Sequence, residues 1–136
     1  MNARFLADKS ALARMVVPAV ARRLRPLLEE GLVATCAVVD LEVLYSARSP
    51  DDYEALREER RAFDDIPITP EVMTRALQVQ GLLAQTGRHR LPIPDLIIAA
   101  AAESADLTVL HYDGDYEQIA EVTRQSHRWV ARRGTI

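Results

Sequence analysis

Short apolar runs alternate with longer amphipathic stretches along the whole chain, and Pro, Gly, Ser and Thr mark the joins. Arg4–Ala7 is short and apolar enough for a buried strand, after which Ser10 caps a brief helix over Ala11–Met15. A second helix is predicted from Pro18 to Glu30, where Gly31 stops it, and Leu32–Thr35 reads as the next strand. Val38, Val39, Leu41, Val43 and Leu44 surround Glu42 in a helix that ends near Ala47. Ser49-Pro50-Asp51-Asp52 opens a charged helix reaching Phe63, and Ile66–Ile68 reads as a strand. Thr69-Pro70 caps a helix to Thr86 that ends at Gly87. Helix Pro94–Ser104, strand Thr108–Tyr112, helix Asp115–Thr123 and strand Arg128–Val130 complete the pattern. Such alternation predicts an α/β fold with three layers, a central parallel sheet of four to five strands between two layers of helices.

The chain has 136 residues, 49% of them hydrophobic, enough for one sizeable core and too few for two ordinary domains, so a single domain over residues 1–136 is expected. Cys36 is the only cysteine, which excludes an internal disulfide, gives no sign of zinc held by thiolates, and fits a reducing cytoplasm. Asp8 and Lys9 interrupt the first apolar run, so no secretory segment is expected, and no later run approaches a membrane span. The net charge of −3 speaks at first against a nucleic-acid partner. Lys9 is the only lysine, however, so nearly all the positive charge is guanidinium, the group best suited to phosphate, although a high-GC genome also enriches Arg.

Four acids, Asp8, Glu42, Asp95 and Asp113, each fall where a short apolar segment meets a turn or a helix start. Open parallel sheets gather functional groups outside the carboxyl ends of their strands, so these four can converge and form a divalent-metal site. Two divalent ions there would add about four positive charges and nearly neutralise the chain. Each acid also has a plainer reading. Glu42 can lie on an exposed helix edge, Asp95 can serve the first turn of its helix electrostatically, and Asp8 and Asp113 can form turns. Ser10 either supports a metal-bound water or caps a helix, and Asp115 either supplements the site or caps the helix that it opens. His89, His111 and His127 lack ligand spacing and are expected to be structural or at the surface. Arg48, Arg88 and Arg90 are candidate phosphate contacts, with solvated loop positions as the plainer reading.

Leu6-Ala7-Asp8-Lys9-Ser10, Asp40-Leu41-Glu42-Val43-Leu44, Ile93-Pro94-Asp95-Leu96-Ile97-Ile98-Ala99-Ala100 and His111-Tyr112-Asp113-Gly114-Asp115-Tyr116 follow in an order that resembles PIN-domain proteins, and more narrowly VapC toxins. The resemblance spans essentially the full length and is weakest from Pro50 to Thr86. It implies a homodimeric ribonuclease with Asp8, Glu42, Asp95 and Asp113 as ligands for Mg²⁺ or Mn²⁺, and Ser10 and Asp115 as auxiliaries. It further implies cleavage to a 5′-phosphate and a 3′-hydroxyl, and a VapB-like antitoxin that forms a heterotetramer or larger assembly with the toxin. Carboxylates suit such hard ions better than histidine or thiolate.

Two other enzyme types are disfavoured by the same residues. A haloacid-dehalogenase-type phosphotransferase needs an Asp-x-Asp motif, but position 10 is Ser, and a phospho-accepting receiver domain needs a late lysine that is absent. The alternative from another class is a catalytically silent PIN-like interaction module.

Overall fold

The computed structural model describes residues 1–136. Its elements run β1 (Phe5–Ala7), α1 (Lys9–Leu12), α2 (Pro18–Glu29), β2 (Val33–Thr35), α3 (Ala37–Tyr45), α4 (Pro50–Arg60), β3 (Asp64–Asp65), α5 (Pro70–Ala84), α6 (Ile93–Ser104), β4 (Thr108–His111), α7 (Asp115–Thr123) and β5 (His127–Trp129). The five strands form one sheet in the order β3-β2-β1-β4-β5, and every pairing is parallel. The expected three-layer architecture is therefore present. No helix is long and apolar enough to cross a membrane.

Successive side chains of a strand point to opposite faces, and the two cores follow this rule. Leu6, Ala34 and Val109 face α3, α5, α6 and α7, whereas Phe5, Ala7, Val33 and Leu110 face α1 and α2. α5 shows why the sequence folds this way. The Thr69 hydroxyl accepts from Val72 N at 3.2 Å, and Val72, Ala76, Val79 and Leu83 recur at helical spacing on its buried face. Gly87 then adopts φ +72°, a left-handed conformation that lets Arg88 N donate to the Leu83 carbonyl at 2.8 Å and close the helix end.

Three expected boundaries are corrected, the first at α1, which runs Lys9–Leu12 under an Asp8 cap rather than Ala11–Met15 under Ser10. β3 lies at Asp64–Asp65 rather than Ile66–Ile68, and α4 stops at Arg60 rather than Phe63. Ile66 N does donate to the Thr35 carbonyl at 2.8 Å, but Pro67 has no N–H with which to extend the ladder. The apolar residues that suggested a strand are packing residues just beyond it, with Ile66 only 4% exposed.

β1 connects towards β2 on one side, and β4 returns on the other, so the strand order reverses between β1 and β4. The crevice at such a reversal is where parallel sheets bind ligands. Asp8 immediately follows β1, and Asp113 lies two residues beyond β4.

Candidate metal centre

Asp8 is 4% exposed and caps α1. One oxygen, Oδ2, accepts from Ser10 N at 3.0 Å, and the other, Oδ1, accepts from the buried Tyr116 hydroxyl at 2.8 Å. Each of these oxygens keeps a further acceptor position. Burial and the neighbouring charges of Asp8 and Asp95 push the Tyr116 hydroxyl well above its ordinary pKa, so it remains a donor. The Ser10 hydroxyl is committed to structure: it accepts from Tyr112 N at 2.9 Å and ties α1 to the end of β4.

Asp113 holds its own loop in place. Its N–H donates to His111 Nδ1 at 3.1 Å, and its Oδ1 accepts from Asp115 N at 2.9 Å, an Asx turn that starts α7. Since His111 Nδ1 accepts, neutral His111 carries its proton on Nε2 and donates to His127 Nδ1, 2.8 Å away. His111 is fully buried, and desolvation followed by the proximity of His127 lowers its pKa to about 4. This pair sets the end of β4 against β5. The expected structural role of His111 and His127 fits this geometry.

Asp95 lies in the first turn of α6, 6% exposed, and its Oδ2 is buried without a hydrogen-bond partner. Burial first, then the charges of Asp8 and Asp113, raise its pKa from 3.8 to about 9. Asp115 is raised too, chiefly by desolvation. One carboxylate oxygen from each of Asp95, Asp113 and Asp115 lies within 4.8 Å of the others. Glu42 is half-buried on α3, and its Oε1 is likewise buried and unpaired. Desolvation and then Asp8 raise its pKa, while Lys9 partly offsets them. Unpaired carboxylate oxygens out of water are costly, and here two of them occur in one acidic pocket. An oxygen-loving divalent cation satisfies such groups, so the donor set fits Mg²⁺ or Mn²⁺. The turn readings of Asp8 and Asp113 are also realised, with Asp8 rather than Ser10 capping α1, and the same hydrogen bonds that build the turns aim the carboxylates.

The expected phosphate contacts divide. Arg48 and Arg90 are exposed and form no ion pair. Arg88 is engaged by Glu121 near the C-terminal end of α7, whereas the acids gather at its N-terminal end. Sequence reasoning missed Tyr116, whose place one helical turn after Asp113 was a usable signal. It also missed Arg133, which donates to Glu117 at 3.0 Å and covers Gly114, the residue between Asp113 and Asp115.

A PIN domain family model matches residues 5–122, which include all five acids of the pocket. The chain belongs to the PIN domain family. Within it, the chain is 48% identical to Ribonuclease VapC21 of Mycobacterium tuberculosis (strain H37Rv), over 99% of both chains. It is 45% identical to Ribonuclease VapC51 of the same strain, over 100% of this chain and 99% of that protein. Such identity places this PIN domain in the VapC branch. Among solved structures, DNA-bound VapBC from Salmonella typhimurium aligns at TM-score 0.76 and 17% identity, covering 95% of this chain and 99% of that one. VapBC-5 from Mycobacterium tuberculosis aligns at TM-score 0.63 and 25% identity, covering 95% and 98%. The likeness to VapC51 covers the whole chain, and so includes β5 and the segment after it, beyond the family-model match.

Proposed function

We propose that this chain is the toxin of a VapBC-type pair, a cytoplasmic, divalent-metal-dependent endoribonuclease built as one PIN domain over residues 1–136. The observation that carries the reading is the close group of Asp95, Asp113 and Asp115 oxygens together with two buried, unpaired carboxylate oxygens, on Asp95 and Glu42, each raised in pKa in part by Asp8. Asp8, Glu42, Asp95 and Asp113 hold Mg²⁺ or Mn²⁺, and Asp115 joins them as a ligand. A bound divalent ion supplies charge stabilisation at a phosphodiester and an activated water at neutral pH. The chain's own residues do the positioning: Tyr116 and Ser10 N–H fix Asp8, and the Asx turn fixes Asp113. No side chain need act as a nucleophile.

The partners are RNA and a VapB-like antitoxin. A cavity of about 580 Å³ opens between α1, α2, α3 and α4, with Leu12, Met15, Leu28, Val43 and Leu56 in its wall and Lys9 at the side of Glu42. It fits an amphipathic antitoxin segment laid across α1 and α3, with the exposed Val16 and Tyr45 beside it. On another side, Met73, Leu77 and Ile93 are exposed and share a small apolar depression on α5 and α6, which suits a second copy of the chain. The test is incubation of purified chain with cellular RNA in Mg²⁺, in Mn²⁺ and in EDTA, followed by sequencing of the new ends. New 5′-phosphate ends with either metal, absent in EDTA and in Asp8→Asn, are expected. Full cleavage by Asp8→Asn would remove the site assignment. Absence of cleavage together with retained antitoxin binding would favour the silent module.

A further inference from the structure

α2 carries charge that its own helix does not explain. From Pro18 to Leu28 it holds Arg22, Arg23 and Arg25 and no acid. Helix electrostatics favour cations in the last turn, yet that turn has none, and Glu29 and Glu30 occupy the C-terminal end. α4 provides the contrast, because Glu54, Glu58 and Glu59 interleave with its arginines, Glu58 pairs with Arg61 just after the helix, and Arg60 pairs with Asp40. None of the five ion pairs of the fold involves α2. Arg22, Arg23 and Arg25 are all exposed.

Arg23 is one wall of a groove of about 360 Å³ between α2 and the β4–β5 edge. Leu24, Leu27, Leu110 and Val130 make it mainly apolar, and Arg128 lines it together with Arg23. Arg128 stacks 5.3 Å from the centroid of Phe5 and has no carboxylate partner. The groove runs along the α2 face of the sheet beside β4 and β5: Leu110 lies three residues before Asp113, and Arg128 reaches back over Phe5 at the start of β1. Towards the acids, Arg14 holds its guanidinium 4.6 Å over the Tyr112 ring and donates to the Ser10 carbonyl at 2.7 Å. An apolar slot between two unpaired guanidinium groups, continued by two more on the same helix, complements a base flanked by phosphates.

We propose that this groove is a nucleotide subsite, and that single-stranded RNA leaving the acidic pocket passes Arg14, seats one base between Arg23 and Arg128, and runs its backbone along Arg22 and Arg25. This rests on the ribonuclease reading and names the path of its substrate. An acidic protein segment is the competing occupant. The apolar wall favours RNA only if a base enters it, so the test includes both ligands.

The probe is a fluorescein-labelled single-stranded RNA dodecamer, bound to the Asp95→Asn chain and followed by anisotropy across a salt series. Arg23→Glu/Arg128→Glu in that background is expected to weaken binding at least tenfold. Loss of two phosphate contacts should also reduce the steepness of log K against log salt by about 1.4. Arg22→Glu/Arg25→Glu, at fully solvated positions, should weaken binding less and in the same sense, which guards against a folding defect in the first variant. In the otherwise wild-type chain, Arg23→Glu/Arg128→Glu should raise KM for the dodecamer and leave kcat within about threefold. Binding and KM both within twofold of the parent would overturn the subsite while leaving the nuclease reading intact. RNA binding lost on charge reversal, in a chain that cuts nothing with Mn²⁺, would support the subsite and overturn the nuclease reading. The same variants are titrated with a fluorescein-labelled oligoglutamate peptide, and unchanged RNA binding with lost peptide binding would make the groove a protein interface and refute the proposal.

Discussion

Replacing Asp95 by Asn is expected to stabilise the metal-free protein while removing its response to metal. Asp95 is 6% exposed, and its pKa rises from 3.8 to about 9, through burial first and then through Asp8 and Asp113. A carboxyl with a raised folded pKa costs nothing below its unfolded value. The cost then grows as pH rises from 3.8 towards 9. At pH 7 the linkage amounts to about 4 kcal/mol. Asp115 shares the same crowding, so one substitution relieves part of the cost, roughly 2–4 kcal/mol. Asn also supplies an N–H that can donate to Asp115, in place of the proton that the metal-free pair must share.

For a chain of this length, 1 kcal/mol corresponds to roughly 3–5 °C in Tm. In EDTA at pH 7, Asp95→Asn should therefore melt roughly 10 °C above the parent chain by circular dichroism. The gap should shrink at pH 5, where the linkage falls below about 2 kcal/mol. Millimolar Mn²⁺ should then raise the Tm of the parent and leave Asp95→Asn nearly unmoved, because the stabilisation tracks affinity for the folded state. A variant less stable than the parent in EDTA at pH 7, or a gap that widens on acidification, would refute the crowding argument. An equal Mn²⁺ shift in both proteins would refute the metal assignment of Asp95.

Other expectations follow from the same geometry. Arg60→Ala should destabilise the fold by about 3 kcal/mol in urea titration, since the buried guanidinium satisfies Asp40 at 2.9 Å and Thr35 at 2.7 Å; Arg60→Lys should recover little, lacking the fork that reaches both acceptors. Tyr116→Phe should cost about 1–2 kcal/mol and weaken Mn²⁺ binding in calorimetry, because Asp8 loses its buried donor. In the Asp95→Asn background, acidification from pH 6.5 to 4 should cost about 3 kcal/mol, because His111 is held neutral when buried and its pKa is lowered to about 4; His111→Gln should flatten that limb of the stability profile. Leu77→Glu should shift the purified chain to monomer in size-exclusion chromatography if α5 and α6 form the homodimer face.

What the chain made legible follows the range of the physics involved. Helices α2, α4 and α5 were readable because caps such as Ser49 and Thr69, stops such as Gly31 and Gly87, and buried positions at helical spacing are local. The acids were readable because each falls at an element end, and a parallel sheet brings such ends together at its switch point. β3 was misplaced because an edge strand of two exposed aspartates carries no apolar signal, and the nearby isoleucines, buried to different degrees, imitate one. Asp115 was given a secondary part for a related reason: its neighbours in sequence mark it as a helix start, and only the position of α6 puts Asp95 against it. The arginines were the least legible, because a guanidinium reaches far from its backbone and its role depends on the carboxylates it meets. Arg60 and Arg88 meet theirs across 20 and 33 residues. Arg23 and Arg128 meet none, although 105 positions apart they face one groove. A charge left unpaired in the fold is a tertiary property, and for a chain with net charge −3 it is the more informative one, since the overall sign conceals where the positive surface lies.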